Sequence, residues 1–327
     1  MRAFLVLLSA AALAGCETLA YYGQAAGGQL SLSAKARPVR EVLADAGTPD
    51  ELKQRLRTAI EIRDYAAREL ALPDGGAYRS YADLERPFAL WNVVAAPEFA
   101  LAPVQSCFPI AGCVAYRGYF DRADAQAHAA ARRAAGYDIV VYGVPAYSTL
   151  GWFDDPLLST FIGYPDAELA RLQLHELAHK VVYVKDDSTF NESFAVAVER
   201  EGLRRWRSAQ GMAGEPAHGR APFEALVAET RARLESLYAM PLAPEEMRRR
   251  KRETLAPLKP WLGRMRGFEA AEANNAFLAS FATYTGEVQM FERMLAEEHG
   301  DLPAFYARVK RLASERSIRG PSSAPRR

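Results

Sequence analysis

Residues 165–179 read Pro-Asp-Ala-Glu-Leu-Ala-Arg-Leu-Gln-Leu-His-Glu-Leu-Ala-His. The opening Pro-Asp pair is typical of the first turn of a helix, and the Leu and Ala residues that follow make the segment apolar on most sides. This pattern predicts a mostly buried helix from Pro165 to about Tyr183. A second helix is predicted from about Thr189 to Arg207, so a short turn joins the two helices in an antiparallel hairpin.

Three residues of the first helix carry chemistry. His175 and His179 are four residues apart and therefore lie on one face of the helix. Both imidazoles can reach one zinc ion, with Glu176 beside it. Zinc lowers the pKa of a bound water to about 7, and a neighbouring carboxylate can take that proton and pass it to a leaving amine. The pattern predicts one zinc ion per chain, with Glu176 as general base, rather than a surface helix with two chance histidines.

A catalytic zinc needs a third protein ligand, and its fourth position is left for water. Our candidate is Glu192 in the run Asn191-Glu-Ser-Phe-Ala195, because the start of the second helix is nearest to the motif helix in the hairpin. Glu199 is the rival. It lies seven residues, or about 10 Å, further along the same helix, so only one of the two carboxylates can bind the metal.

Each of these carboxylates has a second possible role. Thr189-x-x-Glu192 fits a capping box, in which Glu192 would satisfy a backbone N–H instead of a metal. Glu199, Asp186 or Asp187 could accept a hydrogen bond from a zinc-bound histidine. The other histidines of the chain lie in regions unconnected with the motif: His128, His218 and His299.

The two helical motifs together resemble those of the gluzincins, the zinc peptidases of the thermolysin and aminopeptidase N type. In that group, two helices carry the two histidines and the third-ligand Glu. The chain as a whole resembles a family of bacterial lipoproteins described as aminopeptidases. The matching stretches are Tyr22-Gly-Gln-Ala25, Trp91-Asn-Val-Val-Ala-Ala-Pro-Glu98, residues 107–120, residues 144–156, the zinc segment, and Asn274-Asn-Ala276 with Tyr284.

The resemblance also implies where a peptide substrate would lie. Gluzincins pair the substrate backbone with a strand that precedes the zinc helix, and residues 142–151 are the candidate here, although a plain sheet edge fits them too. Aminopeptidase N relatives hold the substrate amine with a Glu, for which the nearest acids are Asp154 and Asp155. In these peptidases a Tyr or a His usually donates to the oxyanion. Tyr284 is the candidate for that role, and Tyr147, within the proposed substrate strand, is the alternative.

The first residues are typical of an export signal. Arg2 is followed by a short apolar run that is below the roughly 20 residues of a membrane-spanning helix, as in a secretory signal peptide. The run closes with Leu13-Ala-Gly-Cys16, which resembles a bacterial lipobox, so Cys16 is the expected site of a lipid anchor. A plain signal peptide with an incidental Cys is the alternative. We expect a protein of the cell envelope, lipid-anchored and facing the periplasm.

The two remaining cysteines lie close together, at Cys107 and Cys113. An even pair in an oxidising compartment predicts a disulfide that closes a small loop. Two buried free thiols are the alternative.

The order of elements predicts an α+β fold, in which a mixed half with a small sheet and an edge strand precedes a mostly helical half. The zinc site is expected between the halves. Short strands are predicted at 91–95, 113–117 and 138–143, with a helix at about 121–135. Further helices are predicted at about 222–239, 244–266, 269–295 and 302–315. The predicted organisation is a signal peptide (1–15), a lipid-anchored tether or first helix (16–37), a single metallopeptidase domain (38–316, divided into 38–164 and 165–316) and a disordered tail (317–327).

Composition narrows the function further. The chain has 327 residues and 41 basic against 40 acidic side chains, which is unlike a protein built to bind nucleic acid. The predicted function is a zinc-dependent peptidase, and in particular an aminopeptidase, with a peptide substrate and with a membrane contact through the N-terminal lipid. The rivals are a zinc hydrolase of a non-peptide amide or cell-wall peptide, and a non-catalytic zinc-binding envelope scaffold.

Overall fold

The structure is a computed structural model that describes residues 21–108, 112–146, 154–212, 221–263, 265, 267–268 and 273–319. Several predictions from the sequence lie outside the described residues: the signal peptide, the lipid site Cys16, Tyr147, His218 and residues 320–327 of the tail. Among the described residues, no helix is both long and apolar enough to span a membrane.

The fold is α+β, as predicted, with all its named strands before residue 159. The strands are β1 (Arg37–Pro38), β2 (Ser80–Ala82), β3 (Leu90–Pro97), β4 (Ser106–Phe108), β5 (Gly112–Val114), β6 (Arg117–Tyr119), β7 (Tyr137–Val144) and β8 (Leu157–Leu158). The helices are α1 (21–35), α2 (Val39–Ala44), α3 (Asp50–Leu70), α4 (Arg122–Ala134), α5 (Ser159–Ile162), α6 (Asp166–Ala178), α7 (Ser188–Ala209), α8 (Ala221–Tyr238), α9 (Pro244–Leu255), α10 (Lys259–Leu262), α11 (Asn275–Thr285), α12 (Val288–Glu297) and α13 (Leu302–Arg319).

The main sheet is antiparallel, with β3 between β6 and β7. β3 and β7 pair over their whole length, from Leu90 opposite Val144 to Pro97 opposite Tyr137. Because side chains alternate between faces, Val94 packs on one face of β3 and Val93 on the other. One face is covered by α8, α9 and α11, and the opposite face by α4.

A second core lies among the helices. It joins α3, α5, α6 and α7 to α12 and α13, and its fully buried residues include Leu174, Phe194 and Phe291. At Gly202 of α7 a Cβ atom would lie 3.0 Å from Leu174 of α6 and equally close to Leu70 of α3, so this glycine allows three helices to approach closely. The central hairpin of α6 and α7 is therefore packed on most sides, as its apolar sequence predicts.

Several predicted helices are shorter than their patterns suggested. α6 ends at Ala178 instead of about Tyr183, because the chain then turns into a loop. A helix predicted over 269–295 is two helices: Asn274 caps α11 through the Phe277 N–H, and the chain breaks again before α12. Helix α13 continues to Arg319, three residues into the segment 317–327 that is expected to form the tail. The tether or first helix of 16–37 is helical over 21–35.

Candidate metal centre

The hairpin of α6 and α7 is fixed by its connecting loop. Asn191 is buried and binds Val184 twice: its Oδ1 accepts from the Val184 N–H, and its Nδ2 donates to the Val184 carbonyl, each at 2.8 Å. Asp187 caps α7 by accepting from the Phe190 N–H at 3.0 Å. Glu192 is therefore not part of a capping box, because Asp187 caps the helix and the Glu192 carboxylate faces His175 and His179.

The structure brings the three predicted ligands together. His175, His179 and Glu192 each offer one donor atom, and these atoms all lie within 4.8 Å of one another. The Glu192 Oε2 is 3.2 Å from Nε2 of His175 and 3.6 Å from Nε2 of His179. Two imidazole nitrogens and one carboxylate oxygen that converge at this distance can hold a metal ion, and they match the donor types of catalytic zinc.

Glu199, the rival ligand, lies on the other side of the His175 ring. Its Oε2 is 3.0 Å from Nδ1 of His175, while its Oε1 is 3.2 Å from the Arg171 guanidinium. The ring thus presents Nε2 to Glu192 and Nδ1 to Glu199. A carboxylate in this position fixes the tautomer and orientation of a metal-binding histidine. Of the other two candidates for that role, Asp187 pairs with Arg316 at 2.8 Å and Asp186 accepts from the Cys113 N–H.

The charges of the centre are strongly coupled. Burial alone would lower the pKa of His175, but the hydrogen bonds and charges of Glu192 and Glu199 outweigh it and raise that pKa to about 10. Burial alone would raise the pKa of Glu192, yet His179 and His175 hold it well below its ordinary value. The protein therefore concentrates negative charge around one imidazole, which is the environment that a divalent cation would neutralise.

One buried atom of the centre is left without a partner. Nδ1 of His179 makes no hydrogen bond within the described parts of the chain, while Nε2 of the same ring faces Glu192. The His179 side chain is 8% exposed, so the orientation of its ring is set by the residues packed around it and by the Glu192 carboxylate. The donor types and the convergence of all three side chains fit a zinc ion.

Glu176 projects from the same helix, next to both histidines. Burial raises the pKa of its carboxyl, His175 and His179 oppose that shift, and the charges of Glu192 and Asp155 add to it. Its environment therefore favours a carboxyl that can both accept and return a proton.

A group of polar residues lies behind Glu176. Asp155 is buried and its Oδ2 is 3.3 Å from the Lys180 ammonium. Tyr78 is also buried and has a left-handed φ of 61°, and its backbone N–H donates to the Asp155 carbonyl at 2.7 Å. Burial raises the pKa of the Tyr78 phenol well above its usual value, and the charges of Glu176 and Asp155 add to that shift.

Tyrosines line the opposite side of the centre. The ring of Tyr284 on α11 is centred 6.2 Å from the His175 ring. Burial raises the pKa of Tyr284 well above its usual value, and the Glu192 charge and the neighbouring phenols of Tyr142 and Tyr116 add to it. Tyr142 belongs to β7 and Tyr116 to the link between β5 and β6. The centre therefore lies between the helical hairpin and the sheet.

The proposed substrate residues are placed differently from one another. Asp155 reaches the neighbourhood of Glu176, but it already pairs with Lys180; Asp154 is exposed and lies against Gly76. β7 is at the edge of its sheet, but Tyr142 forms a bridge with Phe268 and the Gly143 N–H donates to the Gly267 carbonyl at 3.0 Å. Any peptide that pairs with this edge would have to do so beyond these two residues.

Three further sequence candidates have other surroundings. Cys107 and Cys113 are joined by a disulfide between β4 and β5. His128 packs against the Tyr119 ring, with 5.7 Å between ring centres, and His299 is exposed in the turn after α12. Within the described residues, the group that can hold a metal contains neither histidine.

Sequence reasoning missed four neighbours of the centre. Arg171 is four residues before His175, so helical spacing alone could have identified it. Tyr116 and Tyr142 lie in segments predicted as strands, but the sequence does not show which face of the sheet their side chains occupy. The position of Tyr78 depends on a left-handed backbone conformation that the sequence around it does not predict.

Comparison with known proteins identifies the family of this chain. Residues 20–319 match the family described as "Putative aminopeptidase". The match covers most of the chain, and the chain belongs to this family. Comparisons with curated proteins and with solved structures returned no match.

Proposed function

We propose that this member of the aminopeptidase family is a zinc-dependent peptidase that hydrolyses peptide bonds. The observation that carries the proposal is the convergence of His175, His179 and Glu192, with Glu176 beside them on the same helix. Family membership supports a peptide substrate. The donor set supports zinc, and an intact Glu176 favours a catalytic over a structural site, because a structural site needs a fourth ligand rather than a base.

His175, His179 and Glu192 would hold the ion, and Glu199 would orient His175 through its Nδ1 atom. When bound, zinc would lower the pKa of a water molecule to about 7 and polarise the carbonyl of the substrate. Glu176 would accept the proton of that water and then return it to the leaving amine. Burial favours the first of these transfers, because it raises the pKa of Glu176 and so makes its carboxylate a stronger base.

Tyr284 is the candidate donor to the oxyanion that develops on the substrate. Its ring lies next to His175, and its raised pKa keeps the phenol protonated at neutral pH. A phenol that stays protonated can donate a hydrogen bond when negative charge develops on the substrate.

Preference for a free amino terminus would require a carboxylate near the scissile bond. Asp155 is the acid closest to Glu176 among the proposed substrate residues, and Lys180 already neutralises part of its charge. We propose that aminopeptidase specificity depends on Asp155, with the substrate ammonium taking over part of the contact now made by Lys180.

The activity is tested with peptides of known sequence. Wild type should cleave them when loaded with zinc, and Glu176→Gln should retain zinc but lose ~10²-fold or more in kcat. Pairs of peptides with free and acetylated amino termini test the exopeptidase assignment, because equal cleavage of both would remove it. A zinc-loaded wild type that cleaves nothing would favour the non-catalytic scaffold.

We also propose that the protein is lipid-anchored at Cys16 in the cell envelope and faces the periplasm. The support is sequence alone: a short apolar run after Arg2 that ends in a lipobox-like Leu13-Ala-Gly-Cys16. Incorporation of labelled fatty acid into wild type but not into Cys16→Ser would be expected. Equal labelling of both proteins would contradict the assignment.

A further inference from the structure

We infer that the disulfide hairpin of β4 and β5 is a positioning element of the metal centre, and that it acts through Asp186. The inference rests on the zinc site of the proposed function and adds to it a segment that supplies no ligand. It follows from the contacts of one loop, residues 179–187, which joins α6 to α7.

This loop sets the distance between two of the ligands. His179 is the residue at which α6 ends, and Glu192 lies in the first turns of α7. From the inside, Asn191 binds the loop at Val184 and Asp187 caps the following helix. Any change in the loop's path would therefore move one ligand relative to the other.

Asp186 holds the same loop from the outside. Its Oδ1 accepts a hydrogen bond from the backbone N–H of Cys113. Its backbone has a left-handed φ of 67°, a conformation that Asp tolerates better than most residues. The Asp186 side chain therefore connects a loop residue with left-handed backbone to the β4–β5 hairpin.

The hairpin approaches this loop so closely that only a glycine fits. Gly112 has a left-handed φ of 74°. A Cβ atom at this position would overlap the Asp186 carboxylate and would lie 2.7 Å from Cγ of Lys185. Gly112 and Cys113 of the hairpin therefore lie directly against Lys185 and Asp186 of the loop.

The disulfide keeps the hairpin in this place. Cys107 and Cys113 are directly opposite each other in the short β4–β5 pair, and the disulfide joins them. An isolated two-stranded hairpin is only marginally stable in water, so the covalent bond is what fixes the donor N–H of Cys113. On its outer side the hairpin packs on α1, where Phe108 stacks on Tyr21 with ring centres 5.2 Å apart.

The contact can be tested by the affinity of the full chain for zinc alone, measured by competition with a chromophoric chelator. Asp186→Gly removes the acceptor but accepts the left-handed backbone, and should weaken zinc binding ~10-fold. Asp186→Asn keeps the acceptor oxygen and also tolerates this backbone, so its dissociation constant should stay close to that of wild type. This pair separates the lost contact from backbone strain.

The role of the disulfide is tested by a cycle. Replacement of both Cys107 and Cys113 by Ser should weaken zinc binding by a factor similar to that of Asp186→Gly. The combined variant should be no weaker than either parent, because both changes act through the same contact. Amide hydrogen exchange of residues 181–187 should accelerate in each variant except Asp186→Asn, which gives a readout independent of zinc.

The outcomes distinguish this inference from the function on which it rests. Wild type that fails to bind zinc would overturn the metal centre itself. Normal zinc binding by wild type with unchanged affinity in Asp186→Gly, or additive losses in the cycle, would overturn only the role of the hairpin. Should the serine variant fail to fold, the contrast between Asp186→Gly and Asp186→Asn still decides the question.

Discussion

Zinc binding should displace a proton from His175. Glu192 and Glu199 raise the pKa of this imidazole to about 10 against the opposing effect of burial, so at pH 8 most metal-free chains carry the proton. A metal binds the neutral ring. Binding at pH 8 should therefore release about one proton from His175, and this proton alone should raise the apparent affinity about tenfold per pH unit until the pH approaches about 10.

Calorimetric titration with zinc in buffers of different ionisation enthalpy counts these protons. The control is Glu199→Gln, which keeps an acceptor for Nδ1 of His175 but removes a negative charge, so the pKa of His175 should fall and fewer protons should be released. A coordinated water with a pKa of about 7 contributes to both proteins and cancels in the difference. The difference grows as the pH approaches the pKa of His175, so equal proton counts for wild type and Glu199→Gln at every pH from 8 to about 10 would refute the reasoning.

Three further changes test separate parts of the account. If the phenol acts on the oxyanion alone, Tyr284→Phe should lower kcat ~100-fold with little change in KM, as measured by steady-state kinetics. A change in KM with an unchanged kcat would contradict this role. Asn191→Ala leaves the N–H and carbonyl of Val184 without their partners, at a cost of ~2–4 kcal/mol, and thermal unfolding should show a melting temperature lower by several degrees. The raised pKa of His175 stabilises the metal-free fold fully below about pH 6.5, and this stability is lost as the pH rises through about 10. Denaturant unfolding of metal-free protein between pH 7 and 10 should therefore show a steeper loss for wild type than for His175→Gln, and parallel curves would contradict it.

Much of the fold could be predicted because its elements have strong local patterns. α4, α7 and α8 and the strands β3 and β7 lie within a few residues of their predicted positions, since each has clear periodicity or a run of β-branched and aromatic residues. The ends of α6 and α11 were harder to predict. Both depend on side-chain contacts: Asn191 with Val184 near one, and Asn274 as the cap of the other.

The site shows the same division. Helical spacing alone places His175 and His179 on one face. The short connection to α7 brings Glu192 to the Nε2 atoms of both histidines, whereas Glu199 contacts Nδ1 of His175. Helical spacing could not predict that Tyr116 and Tyr142 lie near the centre, because both come from segments distant in the sequence. Such contacts depend on how the sheet packs against the hairpin, which no local pattern encodes.

The central claim is that three side chains of one helical hairpin bind a single zinc ion. Crystals of the zinc-loaded protein, with anomalous diffraction recorded on both sides of the zinc absorption edge, test it most directly. The account predicts one strong peak per chain, about 2.0–2.2 Å from a nitrogen of His175, a nitrogen of His179 and a carboxylate oxygen of Glu192. A peak bound by other residues, or no peak between these three side chains, would contradict it.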